Sequence, residues 1–185
     1  MTNFDYLEKE PSDKNVVNTM RDLIVYYSLE GNTQYVAEKL AEQLGAEVLR
    51  LVPKKAYSDK GFAKFFWGGK SAVMGEKPEL EAYSADLAQF DRVIFGTPVW
   101  AATFTPPLRT FITEQADKLA GKKFAAFACQ GGSGAEKTFK KLAKLIGIDA
   151  FSKTAVFNEP KAKWTVAKDT QIEEFGRELL AGRYE

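Results

Sequence analysis

The stretch LIVYYSLEGNTQYVAEKLAEQLG, residues 23–45, decides the fold. LIVYY (23–27) is aliphatic, β-branched or aromatic without a break, the composition of a strand buried on both faces. TQYVAEKLAEQLG (33–45) places Val36, Leu40 and Leu44 at four-residue steps and stops at Gly45, a helix closed by a glycine. Between them lies SLEGNT (28–33), so the strand hands over to the helix through hydroxyls, an amide and a glycine. A helix start leaves unpaired N–H groups and a positive dipole end, which together attract an anion. Gly31 allows close backbone approach and a positive φ, while Ser28, Asn32 and Thr33 add side-chain donors. A phosphate held by neutral donors suits this loop. It is not a Walker loop, because no Gly-Lys-Ser/Thr follows. Taken alone, the same residues read more readily as an N-cap and turn.

The alternation continues along the chain. AEVLRLV (46–52) reads as a strand with one wetter face, RVIFG (92–96) and KFAAFACQ (123–130) as buried strands, and AFSKTAVF (150–157) as a last strand. PPLRTFITEQADKL (106–119) opens with prolines suited to a first helical turn and puts Leu108, Phe111, Ile112 and Leu119 on one side. AEKTFKKLAKLIG (135–147), closed by Gly147, and TQIEEFGRELLAG (170–182) are the remaining helices. Strand–helix alternation predicts parallel strands, right-handed crossovers and helices on both faces. The expected class is α/β, a doubly wound five-stranded parallel sheet of order 2-1-3-4-5. One connection, 53–91, is far longer than usual and contains GFAKFFWGGKSAVMG (61–75). That segment reads as a helix lined by Phe62, Phe65, Phe66 and Val73, followed by an ordered excursion. Residues 1–21 form an N-terminal extension and 22–185 the domain.

Composition narrows the function classes. At 185 residues, 45% hydrophobic and 28% charged, this is one ordinary globular domain. A net charge of +1 asks for no nucleic-acid or strongly acidic partner. No apolar run is long enough to span a bilayer, and the acidic N-terminus has no signal-peptide core, so a cytoplasmic location is expected. The single cysteine, Cys129, precludes an internal disulfide. The chain has no histidine, which removes Ser-His-Asp and Cys-His nucleophiles and imidazole metal sites. A serine hydrolase on GGSG (131–134) therefore lacks its usual base, and a phosphorylated receiver lacks its acidic set at SLEGNT and GTPVW.

Open parallel sheets bind ligands beyond the carboxyl ends of their strands, where strand order reverses. Two more loops should meet SLEGNT there. GTPVWAAT (96–103) makes a stiff turn at Thr97-Pro98 and continues through Val99, Trp100 and Ala101. The Trp100 indole would either stack on a flat ring or cover the sheet edge. CQGGSG (129–134) offers Cys129, Gln130, Gly131 and Gly132, a backbone open to close approach or simply a mobile loop. A phosphate cradle, an aromatic platform and a glycine-rich loop together describe a site for a planar heterocycle on a phosphorylated chain.

On these residues the chain, over roughly 22–182, resembles the flavodoxin family of short-chain type, since no insertion splits the last strand. The resemblance implies a flavodoxin-like three-layer sandwich with non-covalent FMN at the switch point. It implies Ser28, Glu30, Gly31, Asn32 and Thr33 as the phosphate loop. Thr97, Pro98, Val99, Trp100 and Ala101 correspond to the first ring loop, and Cys129, Gln130, Gly131 and Gly132 to the second. No catalytic residue and no metal is assigned.

Departures from the family shape the expected role. Glu30 stands where Thr or Ser is usual, and its carboxylate is expected to point outward, away from a phosphate. CQGGSG has no tyrosine, so one ring face is open or covered by the 53–91 connection, where Phe65, Phe66 and Trp67 compete between that role and plain packing. WAAT has alanine where positive φ favours glycine, and the chain is near neutral where the electron carriers tend to be acidic. The expected function is an FMN-binding redox protein passing electrons to and from a partner protein. The alternatives are an FMN-dependent NAD(P)H oxidoreductase acting on a quinone-like small acceptor, and a non-catalytic binding module without cofactor. Neither nucleic acid nor membrane is an expected partner, and the N-terminal arm allows a homodimer. Cys129 is expected to be inert, and Lys70, Lys77 and KTFKKLAKL (137–145) to be solvated.

Overall fold

A computed structural model describes residues 20–57 and 69–183. Five strands, β1 (Asp22–Tyr26), β2 (Glu47–Arg50), β3 (Arg92–Pro98), β4 (Lys123–Gln130) and β5 (Thr154–Asn158), pair in parallel in the order β2-β1-β3-β4-β5. The connecting helices are α1 (Asn32–Leu44), α2 (Pro106–Glu114), α3 (Ala116–Leu119), α4 (Ala135–Ile146) and α5 (Val166–Ala181). This is the doubly wound sheet expected from the alternation.

Strand pleating divides β1 between two cores. Leu23 and Val25 pack with Phe95, Phe111 and Leu142 under α2 and α4. Ile24 and Tyr26 pack with Val36, Leu40, Phe127 and Phe175 under α1 and α5. Because both faces are covered, all five β1 residues are buried, and after Asp22 the strand is a continuous apolar run rather than an alternating one. β2 lies at the edge, where only Leu49 of its four residues is buried.

Several boundaries differ from expectation, each for a tertiary reason. β5 begins at Thr154 rather than 150, because Ser152 donates both its N–H (2.9 Å) and its hydroxyl (2.8 Å) to the Phe124 carbonyl before the ladder starts. α5 begins at Val166 rather than 170, where the Thr165 hydroxyl accepts from the Lys168 N–H. The helix expected over 106–119 breaks at Gln115 (φ −105°, ψ 13°), whose side chain donates to the Tyr83 hydroxyl at 3.0 Å.

The 53–91 connection leaves and returns at one place. Lys54 N–H donates to the Glu79 carbonyl (2.9 Å) and Glu81 N–H to Val52 (2.7 Å), around a Pro53–Leu80 bridge. Residues 69–73 are helical, but Val73 is 65% exposed, while Ser71 and Ala72 face inward. Val73 therefore does not line the inner side of that helix. Phe62, Phe65, Phe66 and Trp67 lie outside the described residues, as does nearly all of the expected N-terminal extension. Among the described residues no helix is long and apolar enough to cross a membrane.

The amino ends of the strands hold a buried ion cluster that the sequence reading did not identify. Arg92 of β3 donates to both Asp22 carboxylate oxygens at 2.8 Å and to the Leu179 carbonyl at 2.9 Å. Arg183 adds bonds to Asp22 (2.6 Å) and the Leu44 carbonyl (2.7 Å). Both carboxylate oxygens thus accept from charged donors, three bonds in all, which is what makes a dry ion pair tolerable.

Candidate functional site

A cavity of 270 Å³ opens beyond the carboxyl ends of β1, β3 and β4. Ser28, Glu30, Asn32 and Thr33 line it from the first loop, Pro98, Val99, Trp100 and Ala101 from the second, and Cys129, Gln130 and Gly131 from the third. Gly31, Thr97 and Gly132 do not line it. The three loops singled out in the sequence therefore meet, although they are far apart along the chain.

In the first loop the Gly31 N–H donates to the Ser28 hydroxyl at 3.1 Å, which leaves the Ser28 proton to donate elsewhere. Gly31 takes φ 89° as the residue before α1, a conformation that favours glycine. Its carbonyl accepts the first helical bond, from Tyr35 N–H at 2.9 Å, so the N–H groups of Asn32, Thr33 and Gln34 have no partner within the helix. Glu30 is exposed at the cavity rim. Asn32 has a second role beside the donor one expected of its NH2 group. Its side-chain oxygen accepts from the N–H groups of Lys161 (3.0 Å) and Ala162 (3.1 Å), fastening the β5–α5 loop to the head of α1.

The second loop is a tight hairpin. Trp100 and Thr103 exchange two backbone hydrogen bonds, at 2.9 and 3.0 Å, across Ala101 (φ 49°) and Ala102 (φ 53°). Positive φ at both central positions is the mark of a type I′ turn, which favours Asn and Gly and is strained for alanine. Surrounding contacts hold it in place. Lys141 of α4 donates to the Ala102 carbonyl at 3.0 Å, and Gly134 packs so closely that a Cβ there would lie 3.0 Å from Ala102 Cα. Trp100 is set edge-to-face against Tyr27 (centroids 5.7 Å) and Tyr57 (5.2 Å), so its indole orientation is fixed by two further rings. Lys141 is thus more than the solvated helix face expected of KTFKKLAKL. Thr97 is fully buried instead of facing the cavity. Its hydroxyl donates to the Pro98 carbonyl (2.9 Å) and accepts from Thr105 N–H (3.2 Å), fixing the return of the loop into α2.

Relief of the turn strain gives one prediction. Ala101 is exposed, so Ala101→Gly removes no buried contact while admitting the positive φ without a Cβ penalty. The variant should gain about 0.5–1 kcal/mol of stability. A urea melt would show a higher midpoint with an unchanged slope. A lower midpoint would mean that the turn is not strained.

In the third loop the Gln130 side chain accepts from Ala135 N–H at 3.2 Å and so caps α4. Cys129 is buried, and burial pushes its thiol up to about 12, with a lesser opposing pull from the Thr33 hydroxyl bonded to it. The thiol stays protonated at neutral pH and is inert packing, as expected.

Sequence reasoning missed the fourth wall. Glu159 and Ala162, from the loop between β5 and α5, also line the cavity, as does Gly69. Glu159 carries a positive φ of 44°, its N–H donates to the Gln130 carbonyl at 3.1 Å, and its carboxylate pairs with Lys163. Lys161 of this loop lies over Gly31, with its ammonium nitrogen 2.9 Å and its Cδ 3.4 Å from where a Cβ on that glycine would stand. The phosphate loop was expected to have no cation beside it; the fold supplies one from 130 residues away, as the Asn32–Ala162 bond spans. No sequence motif marks Lys161. Among the described residues no group of three acidic, cysteine or histidine side chains is arranged to hold a metal.

A family model described as Flavodoxin matches residues 21–171. Among solved structures, a flavoprotein from Lactobacillus acidophilus NCFM in complex with FMN superposes with a TM-score of 0.65 at 20% identity, covering 78% of this chain and 98% of that one. The two-electron reduced flavodoxin of Megasphaera elsdenii matches with a TM-score of 0.53 at 20% identity, covering 85% of this chain and 98% of its own. At such identities the likeness is one of fold.

Proposed function

Because the chain belongs to the flavodoxin family, we propose that its cavity holds FMN non-covalently and that the protein transfers electrons through it. The observation that carries this reading is the polarity of the cavity. One end is the head of α1, with unpaired helical N–H groups, the Ser28 hydroxyl and the nearby Lys161 ammonium. The other is apolar, with Pro98, Val99, Trp100 and Ala101. Such a donor set suits a phosphate, and such a wall suits an aromatic ring.

Bound FMN would supply one- or two-electron chemistry of its own. The residues of this chain bind and orient it. Neutral donors at Ser28 and the head of α1 would meet the phosphate, and Trp100, braced by Tyr27 and Tyr57, would present a rigid aromatic wall. The buried thiol of Cys129 stays protonated at neutral pH. Exposed Glu30 can stay in water when a phosphate binds, which weakens the case for a module that has lost its cofactor.

The second reading, an FMN-dependent NAD(P)H oxidoreductase acting on a quinone-like acceptor, is favoured by the near-neutral charge of +1, which offers no net negative charge to attract a basic redox partner. Titration with FMN should quench flavin and Trp100 fluorescence and saturate at one flavin per chain. A colourless protein giving no quenching and no heat of association would end the FMN reading. Anaerobic mixing with NADPH then separates the roles: loss of the flavin colour supports the oxidoreductase, and no change supports the carrier.

A further inference from the structure

We propose that Lys161 is the residue by which this site recognises the phosphate charge, so that it selects the phosphorylated flavin over the same ring system without phosphate. The inference rests on the FMN reading above. The ammonium of Lys161 sits over Gly31 at the head of α1, and a Cβ at position 31 would lie within 2.9 Å of it. Glycine at 31 thus serves two ends, the left-handed turn and the room for this side chain. The backbone on which Lys161 stands is not adrift. Its own N–H and that of Ala162 both donate to the Asn32 side chain, at 3.0 and 3.1 Å, on the first residue of the helix whose dipole faces the cavity.

Neighbouring lysines are committed elsewhere. Lys163 pairs with Glu159, and Lys168 donates to the carbonyls of Glu159 (3.3 Å) and Lys163 (2.6 Å). Lys161 donates to no carboxylate among the described residues. A cation docked beside the helix head adds to the pull of the helix dipole on a phosphate, while an uncharged ring has nothing to gain from it. Because Lys161 is exposed, its attraction is screened by salt.

The test uses the full-length protein freed of bound flavin, titrated with FMN and with riboflavin at low and high salt. Lys161→Gln should weaken FMN binding about tenfold at low salt. It should leave riboflavin unaffected and flatten the salt dependence of FMN affinity, and Lys161→Arg should restore most of the loss. Unchanged denaturation midpoints confirm that this exposed site can be altered without harm to the fold. Unaltered FMN affinity in Lys161→Gln, or equal losses for FMN and riboflavin, overturns the role of Lys161 and leaves the FMN reading standing. Wild-type protein that binds no FMN overturns both.

Discussion

Replacing Gly96 with alanine should cost about 3 kcal/mol and lower the melting temperature by about 10 °C. Gly96 lies in β3 directly opposite Phe127 of β4. An added Cβ would stand 2.8 Å from Phe127 Cε1 and 2.9 Å from Cε2, with Cζ closer still. Real carbon atoms do not approach so closely, so something must move. Phe127 cannot move cheaply. It is fully buried and packs edge-to-face on Phe157, which in turn packs on Phe175. Gly176 is a useful contrast. A Cβ there would also collide, with the Gln43 amide (Nε2 at 2.8 Å), but that amide ends a flexible, partly exposed side chain that can swing away. Urea melts of Gly96→Ala and Gly176→Ala should therefore differ by more than about 1 kcal/mol, with Gly96 the worse. Adding Phe127→Leu to Gly96→Ala should be less harmful than the sum of the two single changes, because the smaller side chain admits the methyl. Simple additivity would mean that the overlap is relieved elsewhere.

Asp22→Ala should be at least as damaging, at about 3–5 kcal/mol. The side chain of Asp22 is 0% exposed and that of Arg92 2%, so truncating the carboxylate strands a guanidinium where water does not reach. Arg183, 15% exposed, loses the same partner. The loss is one of compensation more than of attraction, since a buried pair gains little over an apolar replacement of the same shape. Hence Asp22→Leu combined with Arg92→Met should be more stable than Asp22→Ala alone, though it carries more substitutions. If the double variant were the weaker, the cluster would be a net source of stability in its own right. Both residues sit at the amino ends of their strands, opposite the cavity, so FMN affinity of whatever protein remains folded should be unchanged.

The order of elements and the meeting of the three loops were legible before any coordinates, because both rest on local chemistry. A continuous apolar run such as LIVYY reports burial on both faces, a four-residue step such as Val36–Leu40–Leu44 reports a helix face, and glycine and hydroxyl residues between them report a turn. What local pattern could not supply was any contact whose partner lies far along the chain. Thr97 reads as a site residue from its neighbours, yet it turns inward because the hydroxyl and N–H of Thr105 come back to meet it. The positive φ expected at WAAT came from the family resemblance and not from Ala101 and Ala102 themselves, since the turn is held by the Trp100–Thr103 pairing and by Lys141 and Gly134 beneath it. Lys161 is one of many lysines until the β5–α5 loop docks on Asn32, 129 residues earlier. The sequence by itself determined the doubly wound sheet and the place of its cavity, because periodicity and turn chemistry act within a few residues. Only the tertiary structure decided which charges face that cavity and which are buried away from it, because electrostatic partners are chosen by distance in space and not by distance along the chain.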